Sequence, residues 1–303
     1  MRAVAFSSYG TPEVLRMVDL DDPRAQSGQV RVRVKAAGVL PFDCRAREGG
    51  FPKGLTGDFP IVPGNEFAGV IDQVGDDVTG FTVGDEVLGF STLKSYAEYT
   101  AVSADQIVKK PASMSWETAG AFSGTAQGAH MALEQMRIVP GETVLINGAA
   151  GGLGTMATQL AAHRGAAVVI GTASEQNHDH LRSLGAVAVT YGDGLADRVR
   201  AIAPEGVDGS LGVDLAALRA SVEVTKDVGR VVAMVYTDEV GALGIPEWSS
   251  LRNSVRLAEM VELFDKGALR VHLRAVYPLE SAAEAHRDVG SGHGRGKVVI
   301  TID

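Results

Sequence analysis

The stretch 144–174, VLINGAAGGLGTMATQLAAHRGAAVVIGTAS, decides the fold of this chain. Its first residues, 144–146, form a short apolar run of the kind found in buried strands. The small residues at 155–162 predict a helix, and the apolar run at 167–170 predicts a second strand. The order of strand, turn, helix and strand predicts a βαβ unit, and therefore part of a parallel sheet.

The turn inside this unit is rich in glycine. Gly148, Gly151 and Gly154 stand at every third position between the first strand and the helix. Glycine permits a sharp strand-to-helix turn, close approach of the backbone to a diphosphate, and close packing of helix on sheet. The free N–H groups that open the helix would face an anion. A plain βαβ turn is the alternative, but the flanking strands favour a nicotinamide dinucleotide site, with contacts expected from Gly148, Ala150, Gly151, Gly152, Leu153 and Gly154.

The end of the second strand indicates which dinucleotide is bound. NAD-specific sites place an Asp or Glu there, about 20 residues further on, against the ribose 2′-hydroxyl. This chain has Ser174, which leaves room for a 2′-phosphate, and His178, His180 and Arg182 follow as sources of positive charge. We therefore expect NADP(H). Glu175 is the opposing residue, since it would favour NAD if it turned inward, whereas in the first turn of the next helix it would be solvated.

The composition is that of an ordinary globular enzyme of 303 residues, with 45% apolar and 21% charged residues. The formal net charge of −9 and the lack of a Lys/Arg block argue against nucleic-acid binding. No apolar run approaches the roughly 18 residues of a membrane span, and the first residues resemble a strand more than a signal peptide. The single cysteine, Cys44, fits a reducing compartment, so we expect a cytoplasmic protein.

The pattern of predicted strands and helices changes twice along the chain. Residues 1–115 contain short alternating segments, such as 30–34 and 66–71, separated by Gly, Pro and Asp turns, which is typical of an antiparallel, barrel-like β domain. Residues 116–266 alternate helical patterns with apolar strands and predict an open parallel α/β sheet. The tail, 267–303, returns to strand, helix and strand, and we expect it to pack on the β domain. The parallel strands are expected at 144–146, 167–170, 186–190, 207–211 and 230–235.

Four stretches carry a family resemblance: GQVRVRVKAAGVLPFD (28–43), PGNEFAGVIDQVGDDVTGFTVGDEVLGF (63–90), PGETVLINGAAGGLG (140–154) and SGHGRGKVVITID (291–303). In these stretches the whole chain resembles a zinc-independent medium-chain dehydrogenase/reductase of the NADPH:quinone oxidoreductase type. The resemblance implies a GroES-like β-barrel domain, formed by 1–115 and 267–303, and a Rossmann NADP-binding domain, 116–266. It also implies a small-molecule substrate and a homodimer.

Related alcohol dehydrogenases carry a catalytic zinc, which needs three protein ligands and an open position. This chain has Leu40 where that branch has its first cysteine, and Asn65 where it has a histidine. The short passage 90–96 leaves no room for a four-cysteine structural site, and Cys44 is expected to be a small buried apolar residue. We therefore expect no metal. Reduction would rely on NADPH, and quinones or α,β-unsaturated carbonyls are suitable acceptors because conjugation spreads the developing charge.

The resemblance is weakest in the substrate pocket. The family's frequent Asn is Leu40 here, tyrosines of some members align with Arg45 and Phe51, and a threonine near the nicotinamide aligns with Gly128. Asp43 matches a family position and is expected either to line the pocket or to cap a turn. No residue is a convincing general acid, so water is the expected proton source and catalytic residues stay unassigned. The pocket candidates are Leu40, Asp43, Arg45, Phe51, Thr125 and Gln127, of which the last two are expected to replace the missing threonine.

Three further positions match cofactor contacts of the family. Thr172 is expected to touch the ribose, Tyr191 to cover the 2′-phosphate region, and Lys297 to lie near the cofactor; the plainer alternatives for the last two are an edge tyrosine and an exposed strand lysine. A helix is predicted at 249–264, and its apolar face predicts core packing or a dimer contact. That face consists of Leu251, Val255, Ala258, Val261 and Phe264.

The sequence thus predicts an NADPH-dependent oxidoreductase that transfers hydride to a quinone or α,β-unsaturated carbonyl without a metal ion. One alternative is a pathway-specific enoyl reductase or cyclising enzyme of secondary metabolism, because the pocket is apolar and altered. The other is a non-catalytic NADPH-binding protein, like the lens crystallin that shares the fold. The sequence leaves open the physiological substrate and the proton donor.

Overall fold

The chain forms two compact units in the computed structural model, which describes residues 1–51, 58–247, 251–292 and 294–303. The first unit comprises Met1–Gly124, Asn253–Asp265 and Val271–Asp303, and the second comprises Thr125–Arg252 and Lys266–Arg270. Residues 253–265 lie in the first unit because they pack on it. The Phe264 ring meets that of Phe122 with centroids 5.7 Å apart, and Ser113 donates a 2.7 Å hydrogen bond to Asp265. The domain division expected at 115/116 and 266/267 stays a prediction.

Strands and helices alternate along the described residues. The strands are β1 Arg2–Ala5, β2 Arg16–Asp19, β3 Gln29–Val39, β4 Glu66–Val74, β5 Glu86–Phe90, β6 Tyr99–Ser103, β7 Ile107–Lys109, β8 Thr143–Ile146, β9 Val168–Ala173, β10 Val187–Thr190, β11 Gly209–Gly212, β12 Val231–Ala233, β13 Leu273–Pro278 and β14 Lys297–Thr301. The helices are α1 Pro41–Arg47, α2 Trp116–Gly120, α3 Ser123–Met136, α4 Gly152–His163, α5 His178–Ser183, α6 Leu195–Arg200, α7 Leu215–Val224, α8 Asp238–Gly241, α9 Ser254–Asp265 and α10 Ala282–Gly290. Among these described helices, none combines the length and the apolar character needed to cross a membrane.

The first unit is built on a seven-stranded mixed sheet in the order β13-β14-β3-β4-β5-β7, with β6 also paired to β3. The long strand β3 is central because β4 follows one of its edges, while β6 and β14 share the other. Its residues Val30, Val32 and Val34 alternate into the core. The pairing of β14 with β3 confirms that the tail packs on the β domain. In the described residues the pairings form an open mixed sheet and do not close into the expected barrel.

The second unit contains a five-stranded parallel sheet in the order β10-β9-β8-β11-β12, which confirms the predicted Rossmann-like arrangement. Each expected strand is present with shifted ends; β11 begins at Gly209 because Val207 forms only an isolated bridge with Thr225. The chain proceeds from β8 to one side of the sheet and then returns to the other. This reversal makes the carboxyl end of β8 a topological switch point, where ligands of open α/β sheets bind.

The predicted apolar face of the helix at 249–264 is a core face only in part. The helix α9 begins at Ser254, where Asn253 caps it by accepting a 2.8 Å hydrogen bond from the Arg256 N–H, and residues 249–250 lie outside the described residues. Leu251 and Val255 are 78% and 79% exposed, whereas the Phe264 ring packs on Phe122 and the buried residues of the helix are Leu257 and Met260. The spacing of Leu257, Met260 and Phe264 puts them on one helical face, which the pattern that began at Leu251 did not identify in full. The dimer-contact alternative stays open.

Replacing Gly154 by alanine is expected to destabilise the second unit. A Cβ at this position would overlap the Gly148 carbonyl oxygen and lie 2.5 Å from the Ala149 Cα. Because both obstacles are backbone atoms, we expect Gly154→Ala to lower the free energy of unfolding by about 1–3 kcal/mol in urea denaturation. Gly290→Ala in α10 is the control, since nothing lies within 4 Å of its Cβ position. Equal stability of Gly154→Ala and the parent protein would contradict this packing.

Candidate active site

The glycine-rich turn between β8 and α4 is fastened to the end of β9. Gly148 adopts a left-handed conformation with φ of 65°, and its N–H donates to Thr172 Oγ1 at 3.0 Å. The next N–H, of Ala149, donates to the Thr172 carbonyl oxygen at 2.9 Å, and Gly151 N–H returns to the Gly148 carbonyl at 3.0 Å. The turn is therefore held in one conformation by its own backbone and by one threonine.

Thr172 is itself held by a chain of buried polar groups. Its hydroxyl donates to Asn147 Oδ1 at 3.3 Å, and the Asn147 amide donates to the Leu211 carbonyl at 2.9 Å and to Ser221 Oγ at 3.0 Å. The residue is only 1% exposed. These contacts give Thr172 a supporting role beneath the turn, while its expected contact with a ribose stays a prediction.

The amino end of α4 opens at this turn. Gly151 is its N-cap, and the half-buried Gly152 and Leu153 begin the helix. The first N–H groups of a helix have no acceptor within it and carry its positive dipole end. A Cβ at Gly151 would lie 3.3 Å from the Gly148 carbonyl oxygen, a tight contact with backbone that favours glycine at the N-cap position. The twelve-residue helix and the turn of glycines and alanines fit the diphosphate of a dinucleotide.

Residues on the expected adenosine side lie at the ends of β9 and β10. Ser174 is half-buried, caps a short 3-10 turn, and accepts a 3.0 Å hydrogen bond from Asn177. Glu175 is exposed, in agreement with its solvated alternative. Tyr191 directly follows β10 and is 51% exposed. The small half-buried hydroxyl of Ser174 thus stands where an acidic residue would select NAD.

Three basic residues follow Ser174, and the structure distinguishes them. Arg182 is turned to Asp179 in a 2.7 Å surface pair, and His180 places Nε2 3.2 Å from the Thr155 hydroxyl. His178 has a buried Nε2 without a hydrogen-bond partner in the described part of the chain. Of these three side chains, His178 is the one with a buried ring nitrogen that has no partner among the described residues.

Helix α3 carries the candidates for the nicotinamide side. Thr125 and Gln127 lie in its first two turns and are buried, at 5% and 0% exposure. A Cβ at Gly128 would lie 3.1 Å from Leu153 Cδ1, so the leucine occupies the space beside this glycine. A threonine at position 128 would therefore meet Leu153, a contact that the sequence did not reveal.

In the first unit, Asp43 caps a turn in a fully buried position. Its Oδ2 accepts hydrogen bonds from the Leu40 N–H at 2.8 Å and the Tyr96 hydroxyl at 3.4 Å, while Oδ1 has no partner among the described residues. Burial raises the pKa of Asp43 to about 7, and the Leu40 N–H opposes this shift. The capping alternative is what the structure shows. The other candidates of this unit, Leu40, Arg45 and Phe51, are half-buried.

A second buried charge, Glu66, was missed by the sequence analysis. Its carboxylate accepts hydrogen bonds from Lys297 Nζ at 2.6 Å and from the Gly124 N–H at 2.5 Å, and the two side chains are 0% and 4% exposed. A Cβ at Gly38 would overlap this carboxylate. Lys297 is thus neither exposed nor free of a partner, and its expected approach to the cofactor stays a prediction. Gly38 is the signal in the sequence, because a glycine inside a strand often marks a place where another group approaches the backbone closely.

The residues at the zinc positions of related dehydrogenases do not fit a metal. Leu40 offers no ligand atom, and the Asn65 amide donates to the Thr92 carbonyl at 3.1 Å. The thiol of Cys44 is buried, and burial raises its pKa to about 12, which disfavours the thiolate that zinc requires. Within the ranges that the structure describes, no three His, Cys, Asp or Glu residues are grouped as a metal site.

Removing the partner of Glu66 is expected to destabilise the first unit. Lys297→Met leaves a buried carboxylate unpaired and should lower the free energy of unfolding by about 3–5 kcal/mol. Adding Glu66→Gln should restore most of this loss, because the amide oxygen still accepts from Gly124. Arg200→Met is the control, since the Arg200–Glu223 pair is exposed and worth at most about 1 kcal/mol. A stable Lys297→Met variant with weakened NADPH binding would instead make Lys297 a cofactor ligand.

Asp43 is expected to make stability fall as pH rises. The unfolded carboxyl ionises near its ordinary pKa of about 3.9, whereas the folded group keeps its proton until about pH 7. Between pH 5 and pH 8 the unfolded state therefore binds fewer protons, and this group should lower the free energy of unfolding by on the order of 2–3 kcal/mol. Urea denaturation of Asp43→Asn, which keeps the acceptor oxygen, should gain that much over the parent protein across this range. A constant difference between the two proteins would contradict the assignment.

Comparisons with known proteins cover the whole chain. Family models described as "Alcohol dehydrogenase GroES-like domain" and "Zinc-binding dehydrogenase" match residues 26–112 and 184–300. Quinone oxidoreductase of Mus musculus is 30% identical over 100% of this chain and 98% of its own length. The chloroplastic NADPH-dependent alkenal/one oxidoreductase of Arabidopsis thaliana is 30% identical over 99% of this chain and 79% of its own length. The solved quinone oxidoreductase from Coxiella burnetii superimposes with a TM-score of 0.90 at 29% identity, covering 100% of this chain and 99% of that one. The chain therefore belongs to the medium-chain dehydrogenase/reductase superfamily, and within it to the quinone oxidoreductase type.

Proposed function

We propose that this protein transfers hydride from NADPH to quinones or α,β-unsaturated carbonyls without a metal ion. The observation that carries the proposal is the glycine turn between β8 and α4, which is fastened through Thr172 and opens onto the amino end of a helix. Full-length relatives named for NADPH-dependent alkenal/one or quinone reduction supply the reaction class.

Backbone groups would hold the diphosphate of the cofactor. The residues proposed for it are Gly148, Ala150, Gly151, Gly152, Leu153 and Gly154. Ser174, His178 and Tyr191 are proposed for the adenosine side, where the His178 Nε2 lacks a partner in the described chain and a small residue replaces an acid. These features favour a 2′-phosphate, and hence NADP(H) over NAD(H).

The donor set at the former zinc positions supports a metal-independent reaction. NADPH supplies a hydride when bound, and the protein orients the acceptor and limits access of water. Leu40 and Asn65 stand where a cysteine and a histidine would hold a zinc ion, and this ion is the Lewis acid that reduction of a simple ketone would need. Conjugated acceptors need it less, because they delocalise the negative charge. Water is the proposed proton source, since the buried Asp43 is engaged with Leu40 and Tyr96.

A homodimer and a cytoplasmic location complete the proposal. The habit of the family supports the first, and the single buried cysteine supports the second.

The proposal is tested by oxidation of NADPH with 9,10-phenanthrenequinone, 1,4-benzoquinone and a simple enone. We expect turnover, and we expect NADPH at 100 times its dissociation constant to raise the Tm by about 5 °C, more than NADH does. Gly151→Val should lose both turnover and the shift by placing a side chain over the helix end. Its Cβ would also lie 3.3 Å from the Gly148 carbonyl oxygen, so the Tm of the unligated variant is measured first as the check on its fold. Gly290→Ala is the matched control and should retain both.

Each other outcome has a definite meaning. Turnover of an enoyl thioester alone would favour a pathway-specific reductase. A Tm shift without turnover of any acceptor would favour a non-catalytic binding protein. The absence of a shift with either coenzyme would contradict the proposal.

A further inference from the structure

Arg45, in α1, is a half-buried cation without a counter-ion among the described residues. No side chain or carbonyl in the described chain accepts a hydrogen bond from its guanidinium. The neighbouring Glu48 is engaged by Arg47, and Asp43 is engaged by Leu40 and Tyr96. The side chain is half-buried, so its charge has lost part of its hydration, and this burial lowers the pKa of Arg45. A partly desolvated cation is costly unless an anion completes its environment.

A group of four aromatic side chains, Phe6, Tyr9, Phe51 and Phe59, lies in the same unit. The Tyr9 ring is central: its centroid is 5.2 Å from that of Phe59, 6.1 Å from that of Phe51 and 6.2 Å from that of Phe6. Tyr9 and Phe59 are each 46% exposed. Phe6 is buried beneath them, so the half-exposed rings of Tyr9 and Phe59 are the part of this group that offers a surface for a flat, apolar molecule.

Two glycines place Arg45 beside this aromatic group. A Cβ at Gly49 would lie 3.2 Å from the Tyr9 ring, so nothing separates the backbone there from the tyrosine. The adjacent Gly50 donates a 2.8 Å hydrogen bond to the Arg45 carbonyl, and its Cβ position is 3.5 Å from the Arg45 Cβ. The base of the Arg45 side chain and the Tyr9 ring therefore contact two consecutive glycines.

We propose that this surface selects acceptors that are planar and carry an anionic group, with the rings of the substrate against the aromatic group and the anion paired to Arg45. The inference rests on the proposed function and narrows its substrate class. A guanidinium presents several donors in one plane and binds carboxylates and sulfonate-like oxyanions by paired, charge-assisted hydrogen bonds. A neutral quinone would leave the Arg45 guanidinium without an anionic partner, as in the free protein.

The test compares 1,4-naphthoquinone with 1,4-naphthoquinone-2-sulfonate as acceptors for the NADPH-loaded protein. The quantity measured is the ratio of kcat/KM for the sulfonate to that for the neutral quinone. Because each variant is compared with the parent protein, the different intrinsic reactivity of the two quinones cancels. In Arg45→Met the ratio should fall at least about tenfold, the usual effect of losing a charge-assisted hydrogen bond. Arg45→Lys should recover most of it, and Arg24→Met, at an exposed loop position, should leave it unchanged.

An unchanged ratio in Arg45→Met would overturn the proposal. If the ratio is unchanged because kcat/KM falls equally for both quinones, Arg45 acts at the reacting carbonyl or in the fold. Turnover of the neutral quinone by the parent protein with no change in the ratio leaves the proposed function standing. If the parent protein reduces neither quinone, the proposed function fails separately. Calorimetry with the redox-inert naphthalene-2-sulfonate then decides this inference, which requires binding to the parent protein and at least tenfold weaker binding to Arg45→Met.

Discussion

A diphosphate can be held by main-chain N–H groups only where no side chain stands between it and the backbone, and this constraint shapes the second unit. Gly148 takes a left-handed conformation, a Cβ at Gly151 would press on the Gly148 carbonyl oxygen, and Gly154 lets the helix touch the turn. Thr172 at the end of β9 and Asn147 after β8 then hold the turn by hydrogen bonds. These contacts exist without a ligand, which limits the conformational entropy that binding at this turn would cost.

The first unit places charge in its interior under a different constraint. Glu66 and Lys297 are buried together, and the carboxylate also accepts from the backbone at the start of α3. Such a pair adds little net stability but makes either charge costly to remove, so it ties β4 and β14 to the backbone at Gly124. Arg45 differs from this pair, because its charge has no such partner among the described residues.

Local patterns were predicted well, whereas long-range partners were not. The strands around Gly148 were readable because their apolar runs and glycine spacing are local properties of the sequence. The pairing of Lys297 with Glu66 joins residues 231 positions apart, and no local pattern reports it. The face of α9 was predicted only in part, because Phe264 packs as expected while tertiary packing buries Leu257 and Met260 in place of Leu251 and Val255. Asp43 had two open alternatives, and only the positions of Leu40 and Tyr96 distinguish a cap from a pocket wall.

Transfer of deuterium from NADPH that carries deuterium at both C4 positions is the most direct measurement of the central claim, that electrons pass as hydride from a nucleotide held at the glycine turn. With an α,β-unsaturated ketone as acceptor, the account predicts one deuterium on the β-carbon of the saturated product, seen by mass spectrometry, with no label lost to water. A product that is formed without the label, or with hydrogen drawn from solvent at that carbon, would contradict the account.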